Sequence, residues 1–276
     1  MKLFKDIVID FETHFKDDSI LINDGVERAD LMLNNEDISY LEESYLPKNN
    51  WRNCTDFERF TLLDSSKELK SFQKILVGKI PFEIASMLNK AEFRKETSRE
   101  GVMNCLANNH QLTSNLDLLL NKFLLRFSPT RNFQLYKLLV LYPDRKTTAI
   151  VDYGNEMKFI GLHFDSTTVF EIETAKFSKA RFCLNLGLES REIYFINLSL
   201  DTIKKKILLK NPDEILSLKN LTPTFFKYFP NYPVCKLKIE PLQFYLAPTD
   251  NFIHEGTTDR KSKLDISLTY LGYFDY

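Results

Sequence analysis

Glycine is scarce in this sequence. Eight residues in a chain of 276 is less than half the roughly 7% usual in proteins. Neither GxGxxG nor GxxxxGK[ST] occurs, so the Gly-rich phosphate cradles of dinucleotide and P-loop nucleotide binding are excluded. Cysteine is confined to Cys54, Cys105, Cys183 and Cys235, none close to another, and CxxC zinc and redox motifs are therefore missing. Isolated cysteines in a chain this long read as buried free thiols of a reducing compartment. No apolar run approaches the ~18 residues of a membrane span. The opening MKLFKDIVIDFETHF is broken by Asp10 and Glu12, unlike a secretory signal. A cytoplasmic protein is expected. Charge of one sign is lacking too: Lys+Arg 37 against Asp+Glu 38 gives a net charge of -1. That balance argues against attachment to nucleic acid or to an anionic membrane by bulk charge.

What the chain does have is apolar and aromatic mass. Hydrophobic residues make up 43%, with 23 Phe and 12 Tyr, enough for a sizeable core and well suited to strands. No repeat and no low-complexity segment interrupts it, and residues 1–276 read as a single domain whose texture changes once, near Ser128-Pro129. Residues 1–128 read as mostly helical or irregular. Residues 1–55 carry Asn and Asp clusters of loop character. Residues 66–92 show apolar positions at helical spacing, with Pro81 marking a break or the first turn of a second helix. TSNLDLLLNKFLLRF (113–127) opens with a Thr/Ser cap and carries a broad apolar stripe, which predicts a helix.

From 129 to 276 the chain becomes a series of short β runs. These are FQLYKLLVLY (133–142), TTAIVDY (147–153), KFIGLHF (158–164), ARFCLNLG (180–187), REIYFINLSL (191–200), VCKLKIE (234–240), FYLA (244–247) and LDISLTYLGYF (264–274). A charged, helical insert is expected over 201–218. Short strands separated by turn residues predict a sandwich or barrel, not βαβ units. The expected fold is mainly β with flanking helices, the N-terminal part buttressing a β core.

Four histidines are available. His14 and His110 sit in polar, irregular contexts; His163 and His254 sit at strand ends. His163 lies in GLHFDSTT, with Asp165 two residues on. In an extended strand residues i and i+2 face the same side, so an imidazole and a carboxylate can address one point. The pair ends a strand and enters a Ser-Thr-Thr loop, where functional residues are usually held. His254, in LAPTDNFIHEGTTDR, supplies a third donor just before the last strand. Two histidines and one carboxylate on a rigid β scaffold make the facial triad that leaves coordination positions open on Fe(II).

With GLHFD, the distal FIHEGTT and the closing LDISLTYLGYF together, the region 130–276 resembles the Fe(II)/2-oxoglutarate-dependent dioxygenases, whose core is a double-stranded β-helix of jelly-roll, cupin-like type. The resemblance implies that His163, Asp165 and His254 ligate Fe(II), and that 2-oxoglutarate and O2 are cosubstrates. It also implies that a basic side chain holds the distal carboxylate of 2-oxoglutarate. Three residues compete for that role: Arg181 at the start of ARFCLNLG, and Lys263 and Arg260 before the last strand. A bidentate Arg grips a carboxylate better than Lys, while Lys263 is followed by Asp265. Halogenases of this family replace the carboxylate ligand by Gly or Ala, so Asp165 implies a hydroxylase or a related oxidative outcome. By analogy with relatives of similar size, the substrate is expected to be an amino acid or an amino-acid-derived or peptide molecule. Two alternatives stand beside this reading. One is a cupin-like metal-binding protein without 2-oxoglutarate. The other is a non-catalytic β-sandwich interaction protein in which HxD is accidental.

Overall fold

The computed structural model describes residues 2–13, 16–29, 39–64, 68–154 and 156–276; His14 lies outside them. In chain order the N-terminal part forms β1 (Val8–Phe11), β2 (Ile20–Ile22), β3 (Val26–Arg28), β4 (Tyr45–Pro47), β5 (Arg52–Asn53), α1 (Asp56–Leu62), β6 (Lys74–Lys79), α2 (Phe82–Asn89), α3 (Arg99–Ala107) and α4 (His110–Leu124). Then follow β7 (Phe133–Leu141), β8 (Ile150–Tyr153), β9 (Glu156–Phe159), β10 (Ala180–Asn185), β11 (Arg191–Ser199), α5 (Leu200–Lys210), α6 (Leu221–Tyr228), β12 (Cys235–Ile239), β13 (Gln243–Ala247), β14 (Phe252–Thr257) and β15 (Asp265–Gly272).

Two sheets carry the core. One has the order β1-β6-β13-β10-β15-β7, the other β14-β11-β12-β2-β5; all their pairings are antiparallel except β1 with β6. Of the second half, β7, β10, β13 and β15 lie in the first sheet and β11, β12 and β14 in the second, while β8 and β9 pair with each other. β7 pairs with β15, β10 lies between β15 and β13, and β11 lies between β14 and β12. Beyond β9 the chain joins β14 through a bridge between His163 and His254.

The central strands β6, β13, β10 and β15 of the six-stranded sheet are buried on both faces, and period two decides which residue serves which face. Ile75, Val77, Cys183 and Tyr245 pack toward Ile193, Phe195 and Leu237 of the other sheet. Their neighbours Leu76, Phe182, Leu184, Phe244 and Leu246 pack instead against α2 and α4. The helical layer is held by rings: Phe123 of α4 lies 5.4 Å from Phe244 and 6.3 Å from Phe182, both edge-on, an arrangement favoured by the ring quadrupole.

Three sequence expectations change here. The N-terminal part is no separate helical buttress, because β1, β2, β5 and β6 are strands of the two core sheets. Within 66–92, Lys74–Lys79 is a strand. A short apolar run such as KILVGK does not distinguish a buried strand from a helix by spacing, and here it is buried on both sides. Pro81 does what was expected, standing at the N-cap of α2. The helix expected at 113–127 starts earlier: Asn109 caps α4 by accepting from the Leu112 N–H, while Thr113 bonds back onto the helix. The insert after 200 does form a helix, α5. The aromatic stretch 222–233 is core, with Phe225, Phe226 and Tyr232 fully buried. Among the described residues no helix is long and apolar enough to cross a membrane.

Candidate metal centre

His254 sits inside β14, a strand the sequence pattern did not reveal. FIHEGT places an imidazole and a carboxylate at buried positions and ends in Gly-Thr, so neither alternation nor an apolar run marks it. His163 follows β9 through Gly161, whose φ of 73° is in the left-handed region that favours glycine. A Cβ there would also meet the Tyr45 carbonyl oxygen at 2.7 Å. The two histidines exchange backbone hydrogen bonds, His163 N–H to His254 O at 3.0 Å and the reverse at 2.6 Å. Asp165 is fixed next by its N–H donating to Thr249 O at 3.1 Å, and Asp250 accepts from Thr167 just beyond.

These constraints bring His163, Asp165 and His254 together, with one ligand atom from each lying within 4.8 Å of the others. His163 Nε2 is 3.9 Å from Asp165 Oδ1, and His254 Nε2 is 3.6 Å from Asp165 Oδ2. Both separations exceed a good hydrogen bond, so the inward donors face one another without consuming one another. The outer nitrogens are engaged: His163 Nδ1 lies 2.8 Å from Gly161 O and His254 Nδ1 3.2 Å from Phe252 O. A carbonyl partner makes Nδ1 the protonated nitrogen and leaves the Nε2 lone pair free. Burial pushes the His254 imidazole down to about 4, against the pull of Asp165. Burial also opposes ionisation of Asp165, but Arg181 and the two imidazoles outweigh it and hold the carboxyl well below the usual range. A neutral imidazole at His254 and an ionised carboxylate at Asp165 suit a divalent cation. The group can therefore hold a metal ion.

The triad lies on the wall of a cavity of about 450 Å³ between the two sheets. Arg181 lines it and donates to Asp165 Oδ2 at 2.6 Å. Arg260 and Lys263 do not line it. Arg260 borders a separate hollow beside Trp51 and Tyr194, and Lys263 is exposed, its N–H donating to Glu189. The loop before β15 points both away, whereas Asp265 turns inward. Arg181, Cys183 and Asn185 share the inward face, but only Arg181 lines the cavity; Asn185 donates to the Glu189 and Ile239 carbonyls and serves the adjoining turn.

Two residues of the site escaped the sequence reading. Arg191 opens β11, lines the cavity and is buried, with Nη2 3.4 Å from Asp265 Oδ2, Nη1 donating to Cys183 Sγ and no partner at Nε. Its signal was present in REIYFINLSL, where Arg191 shares a strand face with Ile193 and Phe195. Glu255 is fully buried: Oε1 accepts from Thr148, Ala149 and Gly256, while Oε2 has no hydrogen bond and lies 3.6 Å from His163 Nδ1. Burial pushes this carboxyl up, with His163 opposing. Comparison of the chain with protein-family models, curated proteins and solved structures finds no match.

Proposed function

We propose that this protein is an Fe(II)- and 2-oxoglutarate-dependent oxygenase that hydroxylates a C–H bond of a small molecule. One observation carries the reading. His163, Asp165 and His254 turn two free Nε2 atoms and a carboxylate toward one point on the wall of a cavity large enough for further ligands. The two-histidine, one-carboxylate set with open positions is the donor chemistry of non-heme Fe(II) oxygenases. The division of β7 and β10–β15 between two facing sheets, with β15 beside β7, supports a double-stranded β-helix, a winding of the jelly-roll class. Free cysteines at Cys54, Cys105, Cys183 and Cys235 suit the reducing cytoplasm in which ferrous iron persists.

His163, Asp165 and His254 would hold the metal. Bound iron would supply the redox chemistry by which 2-oxoglutarate, O2 and a C–H substrate give succinate, CO2 and an alcohol. The chain's own residues prepare for that. Gly161 and Phe252 carbonyls orient the imidazoles, and Arg181 holds Asp165 ionised. Arg191, a buried guanidinium with an unpartnered Nε, is placed to take the distal carboxylate of 2-oxoglutarate; this is the role expected of Arg181, Lys263 or Arg260. Asp165 favours hydroxylation over halogenation.

The test is an anaerobic titration of the protein with Fe(II) and then 2-oxoglutarate, followed by visible absorption. A weak charge-transfer band, with succinate formed once air is admitted and lost in His163→Ala and His254→Ala, is expected. Iron binding without the band or succinate would favour the cupin-like alternative. No stoichiometric metal would leave a β-sandwich of other function.

A further inference from the structure

Although the whole chain is balanced at a net charge of -1, the cavity is not. Its wall carries five cationic side chains, Arg99, Lys137, Arg145, Arg181 and Arg191, against two carboxylates, Asp165 and Glu255. Two of the five face carboxylates, Arg181 on Asp165 and Arg191 beside Asp265, and in the oxygenase reading the remaining capacity of Arg191 serves 2-oxoglutarate. For Arg99, Lys137 and Arg145 no carboxylate partner stands within ion-pair distance among the described residues. Like charges gathered without counter-charge repel one another and cost stability, so the arrangement calls for an anion.

The backbone provides an independent sign. β7 pairs Lys137 with Thr269 and Leu135 with Tyr270, so Tyr136 is the extra residue of a β-bulge. In a regular strand Tyr136 and Lys137 would face opposite sides; here the Tyr136 ring lies 5.8 Å from the Arg181 guanidinium and Lys137 Nζ stands 5.0 Å from that same ring, so both side chains reach the cavity. Bulges of this kind re-aim side chains beside functional sites. Tyr136, Leu139, Ile150 and Phe164 add apolar lining, beside the hydroxyls of Thr148 and Ser166.

We infer that the molecule received by this cavity, beyond the metal and 2-oxoglutarate, is an organic acid: a carboxylate or phosphate on an apolar body, its acid group held by Lys137, Arg145 and Arg99. Calling this molecule the substrate rests on the oxygenase reading; the preference for an acid does not. The acid group is anchored by the three cations, and the apolar body extends along Tyr136 and Phe164 toward the His163–Asp165–His254 wall.

Calorimetric titration of the Zn(II)-loaded protein, saturated with 2-oxoglutarate, with hexanoate, hexyl phosphate and uncharged hexanamide tests this. At least one anion is expected to bind about tenfold or more tightly than the amide, a difference of about 1.4 kcal/mol, and to weaken as salt screens the charges. The tighter of the two anions identifies the acid. Lys137→Ala/Arg145→Ala should erase the preference, and Lys137→Arg should retain it. Equal binding of acid and amide, no binding of either, or a preference that survives the double substitution would overturn the inference. Zinc stoichiometry, read in the same samples, separates the two claims. Failure to bind zinc sinks the oxygenase reading while the acid preference is still measured. Zinc and 2-oxoglutarate binding without an acid preference sinks this inference alone.

Discussion

The two faces of the six-stranded sheet are built by alternate residues of the same strands, yet they do different work. On the outer face β10 and β13 contribute Phe182, Leu184, Phe244 and Leu246, closed over by α2 and α4. On the inner face β10 contributes Arg181, and β15 contributes Asp265, Ser267 and Thr269, all buried or nearly so. The outer face buries apolar surface, which is worth about 25 cal/mol per Å², and asks nothing further. The inner face buries polar and charged groups, each of which costs free energy unless partnered. Several atoms stay unpartnered, among them Arg181 Nε and Ser267 Oγ on this face and Arg191 Nε on the sheet opposite. The outer face is thus apolar throughout, whereas the inner face joins the apolar packing of Ile75, Val77 and Tyr245 to a polar end along β10 and β15 where unmet binding capacity remains.

This division is sharpest for metal binding. His254→Ala removes one of three donors and should lower metal affinity more than about 100-fold, beyond the 10–100-fold typical of supporting residues. Folding should suffer little, because His254, on β14 of the facing sheet, belongs to the cavity wall and not to the apolar layer under α2 and α4. Metal content after dialysis, read beside thermal unfolding, checks both halves. Phe182→Ala should do the reverse. It empties a fully buried ring site between Phe244, Phe123 and Tyr270 and should cost about 3–5 kcal/mol, a fall of roughly 10 °C in Tm, with metal stoichiometry intact in the folded fraction. A Phe182→Ala protein that folds normally but loses metal would erase the distinction between the faces.

Arg191, on the sheet opposite, tests the inner face through its pair with Asp265. Arg191→Met leaves Asp265 buried without its cation, a change that costs about 3–5 kcal/mol when a buried pair is broken. Arg191→Met/Asp265→Leu, which removes both charges, should recover most of that stability but not the capacity to bind 2-oxoglutarate. Denaturant unfolding and 2-oxoglutarate titration, measured on both variants, should therefore diverge. Recovery of both properties together would make Arg191 a structural residue only.

How much of this was legible in the sequence follows from the same two faces. The HxD pair could be read because its spacing is local, and the distal His254 because histidines are few in this chain and this one stands just before the last strand. The outer face of β10 could be read from Phe182, Leu184 and Leu186. β6 could not, because KILVGK is apolar on both sides and period two is invisible where both faces are buried. β14 was hidden for the opposite reason: it carries His254 and Glu255 in its interior, where a strand normally carries apolar residues. Arg260 and Lys263 looked suitable because they precede the last strand, but proximity in sequence does not set direction. Arg191 and Asp265 meet only because β11 and β15 belong to different sheets that face each other, a long-range fact that no local pattern records.

A charge outside both faces gives the reference for what an ordinary surface pair contributes. Glu58 closes the capping box at the start of α1, where the Thr55 hydroxyl accepts from its N–H. The carboxylate takes both Arg52 guanidinium nitrogens at 2.8 Å. Hydrogen bonds from Arg52, then those from Thr55, overcome partial burial and hold its carboxyl down at about 2, below the usual 4.5. A folded-state value below the unfolded one means that the stabilisation is present above pH 4.5 and drains away as the pH falls toward 2. Because the pair is solvent-screened, Glu58→Gln should cost only about 0.5–1 kcal/mol at neutral pH. The gap between wild type and variant in urea unfolding should narrow below pH 4.5, with metal binding unchanged throughout. A gap that stays constant down to pH 3 would mean that the Arg52 pairing contributes nothing beyond the cap itself.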